Sequence, residues 1–430
     1  MLRLPHIPYM VLLLAALLAV YQGFHFQEGN NGNRIWSDAE GGYLYLPALF
    51  IYGGFDSLPT RTQGQFAAYP GTTRTFTRNP YVVSLFEAPF FLVAHALVRL
   101  GLAAEDPGDL PGRSLPYSSH ALLLAACCYA WLALLLLYRM LRPVHGPLAS
   151  LLAVLALFFG TNLYYYTLGE PGMPHVYGFF LTSLLLSLRP GMLEPGKTGQ
   201  LVLAGLALGL LTLLSRLDWP LLLVFLVWDA RPGDALRRQA GRWGLVLLCM
   251  ALAWLPQLIY WRYLSGRWIV PDGIHMPLSH AAGPRVLRVL FDVQNGWLIY
   301  SPLIFVALLG LILLVAQGDR IAQVTVLALV VATYLFGSSA VWWFGGAFGH
   351  RCYVDYLPLL AAPLAHVFGY VHRSWPLYRV LWYAALLYLT VFGALLAHAY
   401  AYPWEGPDWT WDSFTQVVER LHGLVPAPPR

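Results

Sequence analysis

Several stretches of the chain set ionisable side chains among apolar residues, where each could do chemistry at a membrane surface. NRIWSDAEGGYLYLPALF places Asp38 and Glu40 after the first apolar run. A carboxylate held there can act as a general base or a metal ligand at a lipid headgroup, and Asp38 can equally cap the helix that follows. LGEPGMPHVY separates Glu170 from His175 by five residues across Pro171, Gly172 and Pro174. That spacing can turn both side chains inward, to hold a divalent cation or orient a phosphate, or it can be an ordinary surface turn.

LLTLLSRLDWPLLL carries Arg216 and Asp218 between long apolar runs. Ionisable residues at such depth mark a substrate path or pair with each other, and the planar fork of Arg216 suits a phosphate. VWWFGGAFGHRCYVDYLP gathers Trp342, Trp343, His350, Arg351 and Asp355 around glycines. Its tryptophans can stack on a sugar or anchor the chain at the bilayer interface, while His350 and Arg351 favour an anionic phosphate. Between 265 and 297, His275, His280, Arg285 and Arg288 add headgroup contacts or a solvated face.

The elements that must position these residues are membrane helices. The 430 residues are 58% hydrophobic and 11% charged, against roughly 25% charged in soluble domains, so a water-soluble fold is excluded. Eleven spans are predicted, near 8–24, 118–138, 147–168, 176–188, 200–216, 219–230, 243–264, 298–317, 321–337, 355–372 and 380–400. The first reads as an uncleaved span, since no small-x-small site follows it.

Segment 80–100 decides the topology, because counting it as a span inverts every later loop. If it does not span, Arg3, Arg139, Arg142, Arg189, Lys197, Arg231, Arg237, Arg238, Arg242, Arg320, Arg373 and Arg379 fall in short cytoplasmic segments, the positive-inside pattern. The segment also contains Glu87, Pro89 and His95, and an ionised side chain at the bilayer centre costs at least about 2.5 kcal/mol. It is therefore expected to lie in the interface, as is Tyr43–Tyr52. The expected fold is all-α and polytopic, one domain over 1–430, with residues 25–117 as a first periplasmic loop and 401–430 as a short periplasmic tail.

The net charge of +5 comes from short loops rather than a basic stripe, so no nucleic acid is expected. Cys127, Cys128 and Cys249 lie in apolar runs, which supports neither a disulfide framework nor a CxxC metal site. The sequence has no P-loop, Rossmann glycine motif, GxSxG or HExxH.

The ordered set WSDAEGGYLYLPALF, NPYVVSLFEAPFFLVAHAL, TNLYYYTLGEPGMPHVYGFF, LSRLDWP, FDVQNGWLIYSPL and WWFGGAFGHRCYVDYLPLLAAPLA covers most of the chain and resembles bacterial members of the GT-C glycosyltransferase superfamily. The resemblance implies an inverting transfer of a sugar from a polyprenyl-phosphate-linked donor to a glycan, lipid or protein acceptor, on the periplasmic face of the plasma membrane and among its lipids. Asp38 would be base or metal-linked organiser, with Glu40 and Glu170 as further acidic candidates. His175, Arg216, Asp218, His350, Arg351, Trp343 and Tyr43 would bind substrate. A divalent cation, Mg2+ or Mn2+, would fall to Asp38, Glu170 and His175. The first motif reads Asp38-Ala39-Glu40 where the superfamily commonly has a paired DD or DE.

Three alternatives stand beside this expectation. A transporter or flippase would spread polar residues through the membrane depth, whereas most midplane stretches here are apolar. A polysaccharide polymerase or ligase usually has its long outer loop late in the chain, and here it comes first. The third is a non-catalytic membrane subunit.

Overall fold

The computed structural model describes residues 6–26, 35, 37–59, 67–192, 196–228, 236–270, 278–401 and 404–423. In chain order the helices are α1 Ile7–His25, α2 Ser37–Tyr43, α3 Tyr45–Phe50, α4 Val82–Arg99, α5 Leu122–His145 and α6 Pro147–Phe159. Next come α7 Leu163–Leu168, α8 His175–Met192, α9 Thr198–Leu214, α10 Trp219–Trp228, α11 Leu236–Ser265 and α12 Val286–Phe291. The last six are α13 Trp297–Tyr300, α14 Leu303–Ala316, α15 Arg320–Ser338, α16 Leu357–Arg373, α17 Pro376–Ala399 and α18 Trp411–Leu421. Three-ten turns at Arg216–Asp218 and Arg351–Tyr356 precede α10 and α16. The strands β1 Ala67–Ala68 and β2 Thr75–Phe76 pair antiparallel in the first loop.

Each of the eleven expected spans meets a helix. Inside lipid a helix satisfies its backbone groups within the segment, so long apolar runs have few other solutions. Among the described residues, seven helical stretches are long and apolar enough to cross a membrane, and α6, α9 and α14 are shorter apolar helices. The chain is a multi-pass membrane protein.

Span 147–168 is broken at Gly160-Thr161-Asn162. The Thr161 hydroxyl donates back to the Leu157 carbonyl at 2.7 Å, and the Asn162 backbone N–H is taken by the Ser301 hydroxyl at 3.1 Å. A Cβ at Gly393 on α17 would stand 2.9 Å from the Gly160 carbonyl oxygen, so two glycines let these chains touch.

Segment 80–100 forms α4, which has the length and composition of a span. At one end of α1, Phe24 packs on His120 with ring centroids 5.4 Å apart; at the other, Tyr9 packs on Tyr138 at 5.5 Å. The first loop therefore leaves and re-enters the bundle at the same end, and α4 packs against α2 and α5. Glu87 requires a correction to the sequence argument. It is buried inside the protein, accepting from the Tyr177 hydroxyl of α8 at 3.3 Å, and does not face lipid. The Tyr43–Tyr52 stretch likewise buries Tyr43, Tyr45 and Leu46 in protein and exposes only Leu49 and Phe50 among its large apolar groups.

Helix packing relies on small residues. A Cβ at Gly205 or Gly209 of α9 would come within 2.6 Å of the Cys249 Cβ or 2.7 Å of the Ala253 Cβ on α11, with α11 backbone equally close. Without a hydrophobic effect between helices in lipid, such close approach supplies the dispersion contact that holds them. Gly209→Ile should therefore lower thermal stability in detergent by about 2 kcal/mol through overpacking. Gly199→Ile, on the same helix with open space around it, should melt close to the parent. Equal melting of the two variants would contradict this packing.

Candidate functional site

Helix α2, the connection between α7 and α8, and the loop entering α16 converge at one end of the bundle. Arg351 opens the turn before α16, and its Nη2 donates to Asp38 Oδ2 at 3.1 Å. The two side chains are 20% and 32% exposed, so the pair stands where protein gives way to open space. Glu170 lies within electrostatic reach of both and accepts from the Tyr165 hydroxyl at 3.1 Å. Burial pushes the Glu170 carboxyl up to about 7, opposed by Arg351 and the Tyr165 hydrogen bond and helped by the charge of Asp38.

Local sequence explains how Asp38 is held. The Asn79 amide donates to the Asp38 carbonyl at 2.8 Å, the Thr77 hydroxyl to the Gly41 carbonyl at 2.8 Å, and the Ser84 hydroxyl to the Gly42 carbonyl. A Cβ at Gly41 would stand 2.8 Å from Asn79 Oδ1, and one at Gly42 3.0 Å from Val83 Cβ. The two glycines after Glu40 thus let α2 lie on the 77–84 segment. Arg351 is aimed from the other side, where Gly349 adopts φ +64° against Tyr300 and the Asn162 amide donates to the His350 carbonyl at 3.3 Å.

The remaining candidates are distributed unevenly. Glu40 is paired with Arg113 and borders a separate cavity of about 30 Å3 in the first loop, shared with Tyr43, Leu44 and Tyr52. The Tyr43 hydroxyl is buried and donates to the Gly112 carbonyl at 2.6 Å, which makes it a brace of that loop. The Trp343 indole N–H donates to Glu405 Oε2 at 2.8 Å and ties the tail to the 339–350 loop.

His350 departs from the expectation of a phosphate-binding cation. Its ring is buried, stacked on Phe336 at 5.1 Å, with Nε2 3.1 Å from the Trp342 carbonyl. Burial holds its pKa down at about 3, so it is neutral. His175 faces Asp355, Nδ1 to Oδ2 at 3.4 Å. Asp218 is buried against Asp355. The side chain of Arg216, and all of His275, lie outside the described residues.

The expected cation set does not assemble. Asp38 is turned to Arg351, Glu170 to Tyr165 and His175 to Asp355, and among the described residues no three His, Cys, Asp or Glu side chains gather to hold an ion. Arg113 and Tyr165 are partners that the sequence reading missed. Arg113 sits alone in a Pro- and Gly-rich stretch, and Tyr165 is one of three consecutive tyrosines, so neither carried a spacing signal.

The raised Glu170 pKa fixes a pH dependence. A carboxyl held at about 7 when folded and near 4.3 when unfolded contributes stability fully present below the unfolded value and lost as pH rises through about 7. Wild type should therefore lose stability relative to Glu170→Gln between about pH 4 and 7, by up to roughly 3 kcal/mol. Parallel melting curves of the two proteins across that range would show that Glu170 ionises normally.

No family model and no curated protein matches the sequence. Solved structures do match in three dimensions. The crystal structure of ArnT from Cupriavidus metallidurans bound to undecaprenyl phosphate superposes with a TM-score of 0.55 at 13% identity, over 91% of this chain and 69% of that one. The archaeal oligosaccharyltransferase AglB from Archaeoglobus fulgidus, in complex with an inhibitory peptide and a dolichol-phosphate, gives 0.55 at 14% identity, over 99% of this chain and 60% of its own. The chain thus spans about three fifths of AglB. Both are GT-C superfamily glycosyltransferases, and the chain has the GT-C fold.

Proposed function

We propose that the chain is a GT-C-type glycosyltransferase that takes a sugar from a polyprenyl-phosphate donor and passes it, with inversion, to a hydroxyl or amide acceptor on the non-cytoplasmic face. The observation that carries this reading is the partly exposed Arg351–Asp38 pair beside Glu170. A guanidinium at the edge of a membrane bundle is the group that grips a lipid phosphate through two parallel N–H donors. The fold supports the same reading, since ArnT and AglB were solved with undecaprenyl phosphate and a dolichol-phosphate. Sidedness rests on charge. The helix ends on the opposite side carry Arg139, Arg142, Arg320, Arg373 and Arg379, which the positive-inside rule retains in the cytoplasm.

The pair supplies its own sequence of events. An arriving donor phosphate competes with Asp38 for Arg351, because both are anions and the guanidinium is only partly exposed. When the phosphate wins, the Asp38 carboxylate is released next to the acceptor. The acceptor atom attacks the anomeric carbon from the side opposite the phosphate, its proton passes to Asp38, and the carbon–oxygen bond to phosphate breaks. The polyprenyl phosphate leaves as an anion held by Arg351, so no acid is needed for departure. Glu170, poised near neutrality, sets the local charge against which Asp38 accepts its proton. No step is routed through a cation, since the candidate ligands face other partners.

A transporter would need polar groups along the membrane depth. Asp38, Glu170, His175, Asp218, Arg351 and Asp355 gather instead at one end of the bundle.

With purified protein and a panel of polyprenyl-phosphate sugars, Asp38→Asn should lower kcat by about 10²-fold or more while donor binding persists. Arg351→Ala should weaken binding of undecaprenyl phosphate by about tenfold. A folded Asp38→Asn protein with parental kcat would overturn the assignment of the base.

A further inference from the structure

Behind Arg351 lies a second pair of acids that the proposed transfer does not use. Asp218, on the turn between α9 and α10, and Asp355, in the turn that Arg351 opens, are both buried. Taken as two carboxylates they leave both oxygens of Asp218 and Oδ1 of Asp355 without a donor among the described residues. A carboxylate only accepts, so two of them can bond only if one carries a proton. Their side chains do stand in hydrogen-bonding contact with each other, and one shared proton turns unpaired oxygens into a bond.

The surroundings are built around this contact. Asp355 Oδ2 faces Nδ1 of His175, the first residue of α8, at 3.4 Å. Gly178, one turn along α8, is what admits Asp355, because a Cβ there would overlap its Oδ1. Next in sequence, the Tyr356 hydroxyl donates to the Leu217 carbonyl, so the turns 216–218 and 351–356 are joined at two adjacent points. Arg351 is therefore held by a short rigid segment whose far end is fastened to α8 and to the α9–α10 turn.

We propose that Asp218 and Asp355 share one proton, and that this carboxyl–carboxylate bond is a positioning device that sets the reach of Arg351 toward Asp38 and the donor phosphate. The proton-sharing part stands on the burial of the two acids, their unpaired oxygens and the joined turns that hold them, while the kinetic consequence rests on the transferase reading. Two like-charged groups in contact would push the turns apart; one proton removes the repulsion and adds a directional bond. Neither residue touches substrate, and both act through Arg351.

Asp218→Asn separates the possibilities, because its amide carries its own N–H and keeps the bond without the shared proton. In infrared difference spectra of the full-length protein, wild type minus Asp218→Asn should show a protonated carboxyl band at neutral pH. Asp218→Asn should retain most of kcat, whereas Asp218→Ala should lose on the order of 10²-fold in kcat with a smaller change in KM, as for a displaced catalytic group. Absence of the carboxyl band overturns proton sharing. A band together with equal kcat for the alanine and asparagine variants overturns positioning. If Asp218→Ala does not fold while Asp218→Asn does, the fastening is confirmed by that contrast, and the infrared band decides the proton. A wild-type protein that transfers no sugar from any polyprenyl phosphate would count against the transferase reading, and the infrared spectra would still decide the shared proton.

Discussion

Everything at the working end of this protein depends on one guanidinium reaching across from the last third of the chain to a carboxylate in the first loop. Residues 351 and 38 are separated by 313 positions and meet at 3.1 Å. A fully exposed pair of this kind is worth about 1 kcal/mol or less. A fully buried one must recover several kcal/mol of desolvation per ion. Partial exposure places Arg351–Asp38 between these limits, tight enough to be formed and cheap enough to be exchanged. Replacing one anion by another costs the guanidinium little, and that exchange is the physical core of the transfer proposed for it.

The scaffold explains why the two residues can be held so accurately inside a lipid solvent that offers no hydrophobic force between helices. Glycines do much of the fastening. Gly205 and Gly209 seat α9 on α11, Gly393 meets Gly160 where α17 crosses the end of α6, and Gly178 admits Asp355. The first loop is held by hydrogen bonds from Thr77, Asn79 and Ser84 to backbone carbonyls of α2. Helix α4, apolar enough to pass for a span, belongs to a loop that the chain enters and leaves on one side of the bundle. One oxygen of its buried carboxyl, Glu87, accepts from the Tyr177 hydroxyl of the bundle.

The helices were legible in the sequence because lipid permits an apolar run few conformations. The break at Gly160–Asn162 was not, since it depends on Ser301 and Gly393, which no local pattern connects to it. Among the site residues, Asp38, Glu170 and Arg351 were visible as charges beside apolar stretches, and the structure brings them together. His350 was visible in the same way and is a buried ring against Phe336, because residue type announces polarity and says nothing of its partner. Arg113, which takes Glu40 away from Asp38, sits in a loop with no periodicity to read. Asp218 was legible as a buried charge, but the natural partner by sequence was Arg216, and only the fold sets it against Asp355.

The most direct test of the exchange at Arg351 is a structure of the full-length protein with undecaprenyl phosphate bound. The account predicts the phosphate within hydrogen-bonding distance of the Arg351 guanidinium, with the Asp38 carboxylate turned away from it toward the open side. A lipid phosphate seated elsewhere, with the Arg351–Asp38 bond intact, would contradict it.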